Sequence, residues 1–362
     1  MNISMRFFGR HMKYYRIMKR VIIKKPLVLL RILVNYFRIW VLKENVVRKV
    51  EMGLTFDCQC HCPKCSSEMM RGHKKERLGL AEIAKAASEI LELGAVQINL
   101  TGGEPLMAED FFQIVRCFKP HKTIITINTN GLLLTEDMID RLERAGVDII
   151  KISIDSPIEA EHDKYRGYDG CYSRAIKALS YIKSKSSILG QISTVCIKEN
   201  LGSDRIWKLV EMAREYDALL GLTIPAASGR WLGQDGVLLD EKDREVLGAL
   251  VKIPHVIRDT DEGYMRSHCP AGSEEFYLTC YGDIIPCPLI QISFGNVKSL
   301  PLRVIWQRMS DYKVFKEKKG LGCLAGEDRD FIDRYLMPLK DKASLPVSIE
   351  EHHTSKVEDD LV

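Results

Sequence analysis

The run Thr55-Phe56-Asp57-Cys58-Gln59-Cys60-His61-Cys62-Pro63-Lys64-Cys65 places Cys58, Cys62 and Cys65 three and then two residues apart. Three thiolates in one short loop can hold three irons of a cubane iron–sulfur cluster and leave the fourth iron without a protein ligand. An iron left open can bind and reduce a small molecule, whereas a fully coordinated one stores or passes electrons. Downstream, the apolar run Val96-Gln97-Ile98-Asn99-Leu100 leads into Thr101-Gly102-Gly103-Glu104-Pro105. Two glycines there let a ligand approach backbone that a side chain would block. A structural zinc site is the alternative for the three thiols, but the loop offers no clear local fourth ligand and zinc leaves the Gly-Gly-Glu-Pro segment unexplained.

Around these motifs the chain alternates short apolar runs with amphipathic stretches, the pattern of repeated βα units. Strands are expected at 50–56, 96–100, 123–128, 148–154, 191–197 and 219–224. Helices are expected near 80–93, 110–118, 136–145, 172–184 and 204–216. Six such units make an α/β fold, a partial parallel (β/α)6 barrel whose chemistry belongs at the carboxyl ends of the strands. The cysteine loop follows the first strand and Gly-Gly-Glu-Pro the second. Asn128-Thr129-Asn130-Gly131 follows the third, and Ser153-Ile154-Asp155-Ser156 the fourth.

The order of these motifs resembles the radical S-adenosylmethionine (SAM) enzymes over roughly residues 50–225. The resemblance implies that Cys58, Cys62 and Cys65 hold a 4Fe–4S cluster. It implies that Gly102, Gly103 and Glu104 bind the amino group of SAM, with Ser153 on its ribose and Arg166 on its carboxylate or ribose. Asn130 and Thr194 are further expected to line the cavity. Where the family often has an aromatic residue before the third cysteine, this chain has Lys64, expected at the adenine edge or the SAM backbone. Cys60 is expected to point away from its neighbours. An external donor of the flavodoxin or ferredoxin type would reduce the cluster, and cleavage of SAM would yield a 5′-deoxyadenosyl radical.

A second set follows: Cys269-Pro270-Ala271-Gly272, then Cys280 to Cys287 around Gly282-Asp283, and later Cys323. The arrangement is similar to SPASM and twitch extensions, which carry auxiliary clusters. With Cys323 the sole later cysteine, the shorter twitch type is expected, ligated by Cys269, Cys287 and Cys323. Cys280 is a fourth ligand or a half-buried strand thiol. The Gly282-Asp283 turn would close a hairpin that brings Cys269 and Cys287 together.

Charge is divided unevenly. Overall the chain carries +4, but residues 1–50 hold thirteen Lys/Arg and one acid, Glu44. That leaves the remainder net negative, so the arm is expected to have its own job. Pro26 to Leu42 is apolar except where Arg31, Asn35 and Arg38 fall on one narrow helical face, with Lys13, Arg20 and Lys24 continuing it before Pro26. Such a segment is too short and charged to span a bilayer but suits the headgroup plane of an anionic leaflet, apolar side down. The plainer alternative is a helix packed on the barrel with its bases solvated. Nucleic acid ranks last, because aromatic and basic residues do not interleave.

The expected organisation is a basic amphipathic arm over 1–49, a barrel over 50–245, an auxiliary-cluster region over 246–340 and a disordered acidic tail over 341–362. Eleven cysteines clustered at chemistry-bearing loops, with no secretory signal pattern, suit a cytoplasmic setting, peripheral on the inner face of the membrane. The expected activity is radical SAM chemistry on a small-molecule, lipid or isoprenoid substrate, with residues 10–45 at the membrane; hopanoid-adenosylating relatives set the precedent. A peptide or cofactor maturase is the alternative, and a non-catalytic iron–sulfur or zinc scaffold the third. Replacing Cys58, Cys62 or Cys65 singly by alanine is expected to abolish the SAM-responsive cubane signal in anaerobic electron paramagnetic resonance, and with it 5′-deoxyadenosine release.

Overall fold

The computed structural model describes residues 18–71, 75–258, 269–316 and 322–352 of the chain. Six parallel strands appear where the alternation places them: β1 (Lys49–Thr55), β2 (Gln97–Gly102), β3 (Ile124–Thr129), β4 (Ile149–Ser153), β5 (Leu189–Val195) and β6 (Leu219–Thr223). Three more join the same sheet, β7 (Val256–Arg258), β8 (Glu275–Leu278) and β9 (Ile284–Ile285), in the order β7-β6-β5-β4-β3-β2-β1-β8-β9. The β8–β9 pair is the expected antiparallel hairpin, but β8 also runs parallel to β1. The cysteine-rich region is therefore continuous with the barrel sheet.

The helices bury one apolar stripe against the outer face of the strands, as the 3.6-residue period requires. In the helix Glu136–Ala145 the Thr135 hydroxyl accepts from the Met138 N–H at 3.1 Å, and Gly146 closes the far end at φ 90°. Both devices satisfy backbone groups that a helix end otherwise leaves open.

Inside, alternation along each strand builds layers. The floor is apolar: Ile124, Ile149, Leu189, Leu219 and Ile257, from β3 to β7, pack with Val21, Ile22 and Val28 of the arm. Above it the walls turn polar. Asn99 stands level with Thr126, Asn128 with Lys151, and Lys151 with Gln191.

The arm forms a helix, α1 (Pro26–Trp40), that crosses the amino ends of the strands. Its polar stripe faces inward. Arg31 donates to the carbonyls of Leu91 and Ala95 at 2.8 and 2.9 Å, Asn35 to that of Gly94 at 2.7 Å, and Arg38 to that of Glu92 at 3.3 Å. These carbonyls end or follow the helix Leu80–Glu92, where backbone acceptors lack intrahelical partners and cations are favoured. Before α1, the Lys25 ammonium pairs with Asp148 at 2.5 Å. The plainer alternative holds in that α1 packs on the barrel, but its own bases Arg31 and Arg38 are bound there and the apolar side faces out. Lys13 lies outside the described residues.

Part of the expected tail also packs. Val347–Ser348 pairs in parallel with Ile292–Ser293, Leu345 and Ile349 are buried, and the His352 ring stacks on Tyr335. The low hydrophobicity of the segment as a whole hid three well-placed apolar residues; residues 353–362 lie outside the described ones. His352 is occupied by Tyr335, whose carbonyl lies 2.9 Å from its Nε2.

Removing the buried Asn35 amide leaves the Gly94 carbonyl without that donor. Asn35→Ala is expected to cost about 1–3 kcal/mol, read as a lowered chemical-denaturation midpoint of the metal-free protein.

Candidate active site

The cysteine loop leaves the carboxyl end of β1 and is held from three sides. The Cys65 carbonyl accepts from the Arg230 N–H at 3.1 Å, and the Ser66 carbonyl from the Gln291 amide at 2.6 Å. The His61 N–H donates to the Arg166 carbonyl at 2.9 Å. Gly229, at φ 58°, sits so close that an added Cβ would lie 2.4 Å from the Cys65 carbonyl oxygen. Gln291 belongs to the cysteine-rich region, so that region buttresses the loop directly.

Cys58, Cys62 and Cys65 are all partly exposed at this mouth. The Cys60 thiol lowers Cys58 and Cys62 to about 6 by hydrogen bonding, with the Arg166 and Lys64 cations also favouring the Cys62 thiolate. Burial pushes the Cys65 thiol up. Cys60 does not point away from its neighbours. It is buried among Cys58, Cys62, Cys171 and Leu132, because the loop is a series of bends and turns in which strand alternation does not apply. Cys171, the first residue of the helix Cys171–Lys185, lies 3.4 Å from the Asn130 carbonyl, to which its protonated thiol would donate, and a hydrogen bond from Cys60 foremost lowers its pKa to about 5. Periodicity carries no sign of this pairing.

Beside the loop lies a buried ionic group that sequence reading missed. Asp155, fully enclosed, pairs with Lys64 and, at 2.6 Å, with Arg166. Burial alone would raise its pKa, but the Arg166 and Lys64 charges hold it well below the usual carboxylate range. Arg166 also approaches the Cys62 sulfur at 3.8 Å. Lys64 and Arg166 therefore act first as partners of Asp155, and Lys64 stands 5.3 Å from the centre of the Tyr165 ring. Two cations against one anion leave net positive charge beside the thiolates, which favours a negatively charged cluster.

At the end of β2, Gly102 has φ 128°, and an added Cβ would lie 2.1 Å from the Thr55 carbonyl oxygen. At Gly103 it would lie 2.2 Å from that of Asp57. Only glycine fits this pair of positions. Glu104 is fully buried and accepts from the Thr129 hydroxyl at 2.8 Å, the Asn130 N–H at 2.9 Å and the Leu106 N–H at 3.2 Å. Burial pushes its carboxyl up to about 7 despite these donors. The Asn130 amide reaches the Cys58 sulfur at 3.7 Å. Ser153 ends β4 half-buried and level with Ser193 of β5. Thr194, expected to line the cavity, does not: it follows Ser193 and so shares the outer face with Ile192, whose side chain packs in the helix-side core.

Of the second set, Cys269, Cys287 and Cys323 are buried near one another: burial pushes the Cys287 and Cys323 thiols up, and the neighbouring Cys269 adds to both, as Cys323 does to Cys287. Cys280 is not brought to them. Its electrostatic neighbours are Arg77, Tyr281 and Asp57, and burial pushes it up to about 12. It lies in the turn that follows β8, where its carbonyl accepts from the Leu78 N–H at 2.8 Å and the adjacent Tyr281 ring stands 5.6 Å from that of Phe56, beside the first cysteine loop.

Among the described residues no three His, Cys, Asp or Glu side chains converge on a single-ion site. The glycine cradle, the buried acceptor Glu104 and the net-positive surroundings of Cys62 fit an anionic cluster with a cationic cofactor. Cys58, Cys62 and Cys65 would hold that cluster, and Gly102, Gly103 and Glu104 would meet the cofactor's ammonium.

Residues 52–215 match the sequence profile of the Radical SAM superfamily, and residues 269–325 that of SPASM, an iron–sulfur cluster-binding domain. The chain is 24% identical over 311 residues to an AdoMet-dependent heme synthase of Methanosarcina barkeri, covering 76% of this chain and 87% of that one. It is 26% identical over 282 residues to a PqqA peptide cyclase of Gluconobacter oxydans, covering 73% and 77%. Among solved structures it superposes on Streptococcus suis SuiB bound to the precursor peptide SuiA with a TM-score of 0.59 at 15% identity. That match covers 72% of this chain and 65% of SuiB, so the chain spans a little under two thirds of SuiB. Native anSMEcpe with bound AdoMet gives 0.56 at 16% identity, covering 77% and 84%. The extension matches the SPASM profile, in line with the SPASM and twitch likeness of its cysteines, and the enzyme uses SAM, a 4Fe–4S cluster and auxiliary iron–sulfur chemistry. This chain belongs to the radical SAM superfamily, as an enzyme with a SPASM extension.

Proposed function

We propose that the protein is a maturase that directs radical SAM chemistry at a polar, water-borne substrate, a peptide ahead of a cofactor precursor. The observation that carries this reading is the wall of the lumen. Asn99 is fully buried with neither amide atom bonded, and the Thr126 hydroxyl, the Asn128 carbonyl oxygen and the Tyr277 hydroxyl are also buried without partners. A hydrocarbon substrate would leave all of these groups unsatisfied, at a cost that peptide amides or polar ring substituents would remove. The peptide named in the PqqA cyclase relatives favours the first substrate, and the heme synthase relatives favour the second.

A lipid or isoprenoid substrate has less support. The arm that suggested it lies at the amino ends of the strands, whereas the cysteine loop, Gly102–Glu104 and Asp155 lie at the carboxyl ends. When bound and reduced by a flavodoxin- or ferredoxin-type donor, the cluster and SAM supply one-electron cleavage of a carbon–sulfur bond and hydrogen-atom abstraction. The chain's own residues position and exclude. Arg166 and Lys64 keep positive charge against Cys62, Glu104 offers the cofactor ammonium a carboxylate, and Val21, Ile22 and Val28 close the floor against water. Ser153, half-buried at the end of β4, would bond the ribose. Cys269, Cys287 and Cys323 would hold the auxiliary cluster, behind a hairpin that is part of the lumen wall.

Anaerobically reconstituted enzyme with SAM and dithionite is expected to release 5′-deoxyadenosine faster on adding a pool of short peptides than on adding a lipid extract. Stimulation by lipid alone would overturn the reading. Asn99→Leu is expected to remove an unsatisfied buried amide. It should raise the melting temperature while cutting substrate-stimulated turnover at least about tenfold, with substrate-free SAM cleavage unchanged.

Glu104 makes a second, pH-based test. Because its folded pKa lies above the ordinary value, the metal-free protein is expected to lose stability as pH rises from about 4.5 to about 7 and to level off above. Glu104→Gln should flatten that decline in the denaturation midpoint.

A further inference from the structure

Helix α1 presents its apolar side to solvent. Leu30, Leu33, Phe37, Trp40 and Val41 are 56%, 58%, 54%, 56% and 61% exposed. The inward stripe, Val28, Arg31, Asn35 and Arg38, is committed to the barrel floor and to backbone carbonyls, so rotating the helix to hide the leucines would forfeit those contacts. Contiguous exposed apolar surface of this kind marks an interaction site. The segment is 15 residues long, and no helix of the described residues is long and apolar enough to cross a membrane. A helix with one apolar face and basic flanks lies in the plane of an interface.

Charge at this end of the barrel identifies the partner. Exposed Lys24 and Lys43 bracket α1, and exposed Lys119, Arg144, Lys183 and Lys185 lie in the last helical turns or loops leading into β3, β4 and β5. Several acids here are already taken: Glu44 by Arg38, Asp148 by Lys25 and Asp217 by Arg20, which leaves Glu92 and Glu215 exposed. A second copy docked face to face through α1 would set one cationic rim against another, which like-charge repulsion opposes. An anionic lipid surface complements both the apolar face and the rim.

We propose that α1 seats this enzyme on the surface of an anionic bilayer, apolar face down among the headgroups. The floor of the barrel then faces the membrane and the mouth opens into water. Because all barrel strands run the same way, docking by α1 and access to the lumen use opposite ends and do not compete. The membrane holds the catalyst near its surface without supplying the substrate from its interior.

The test uses full-length protein and flotation with phosphatidylcholine vesicles, with and without phosphatidylglycerol. Binding to the anionic vesicles is expected, falling as salt rises. Leu33→Glu with Phe37→Glu should cut it at least about tenfold, and Lys24→Ala about fivefold. Melting temperature and substrate-free SAM cleavage of these variants should match the parent, which separates failure of docking from failure of the catalytic reading. No preference for anionic vesicles, or unchanged binding by the double variant, would overturn the proposal. Sedimentation showing a dimer that the double variant dissolves, with no vesicle binding, would assign the face to a second copy and overturn it equally.

Discussion

Strand polarity is the constraint on which the molecule depends. Seven strands from β7 to β1, and β8 beside them, share one direction, so every loop after a strand opens on one end and every turn before a strand lies on the other. Thiols, glycine cradle and buried carboxylates collect at the first end with no need for the sequence to bring them near each other. The arm, the apolar floor and the basic rim collect at the second. A mixed sheet would have scattered both groups.

Within the catalytic end, electrostatics are handled by burial with compensation. Asp155 is enclosed yet charged because two cations reach it, and one of those cations sits next to a cluster thiol. Removing Asp155 would strand two positive charges in a low-dielectric site, the costly case for buried pairs. Glu104 is the opposite arrangement, with three donors and no cation, so its carboxyl titrates near neutrality. A cation beside it would favour the charged carboxylate, which suits the proposed contact with the SAM ammonium. One carboxylate ties down Lys64 of the cysteine loop, and the other is the one proposed to meet the cofactor.

The lumen shows a comparable economy. Its floor is closed by apolar side chains, three of them from the arm, while its walls carry polar atoms with no partner of their own among the described residues. Buried polar groups without protein partners are the groups that the polar substrate proposed above would bond. The same arm that seals the floor turns leucines and aromatics outward, so one helix closes the reaction chamber and presents a docking face.

Strong local signals made the barrel and the cluster loop legible in the chain. Strand alternation places β1 to β6 within a residue or two, and the Cys58, Cys62, Cys65 spacing stands in one loop whatever surrounds it. Gly102 and Gly103 were readable because close approach admits no other residue. The partnership of Lys64 with Asp155, the turn of Cys60 toward Cys171 and the separation of Cys280 from Cys269, Cys287 and Cys323 were not. Each joins residues far apart in the chain, or depends on loop geometry that has no period. Periodicity also identified α1 as two-faced but not which face meets the protein. That choice lay with carbonyls at the end of another helix, acceptors that exist only once the barrel has formed.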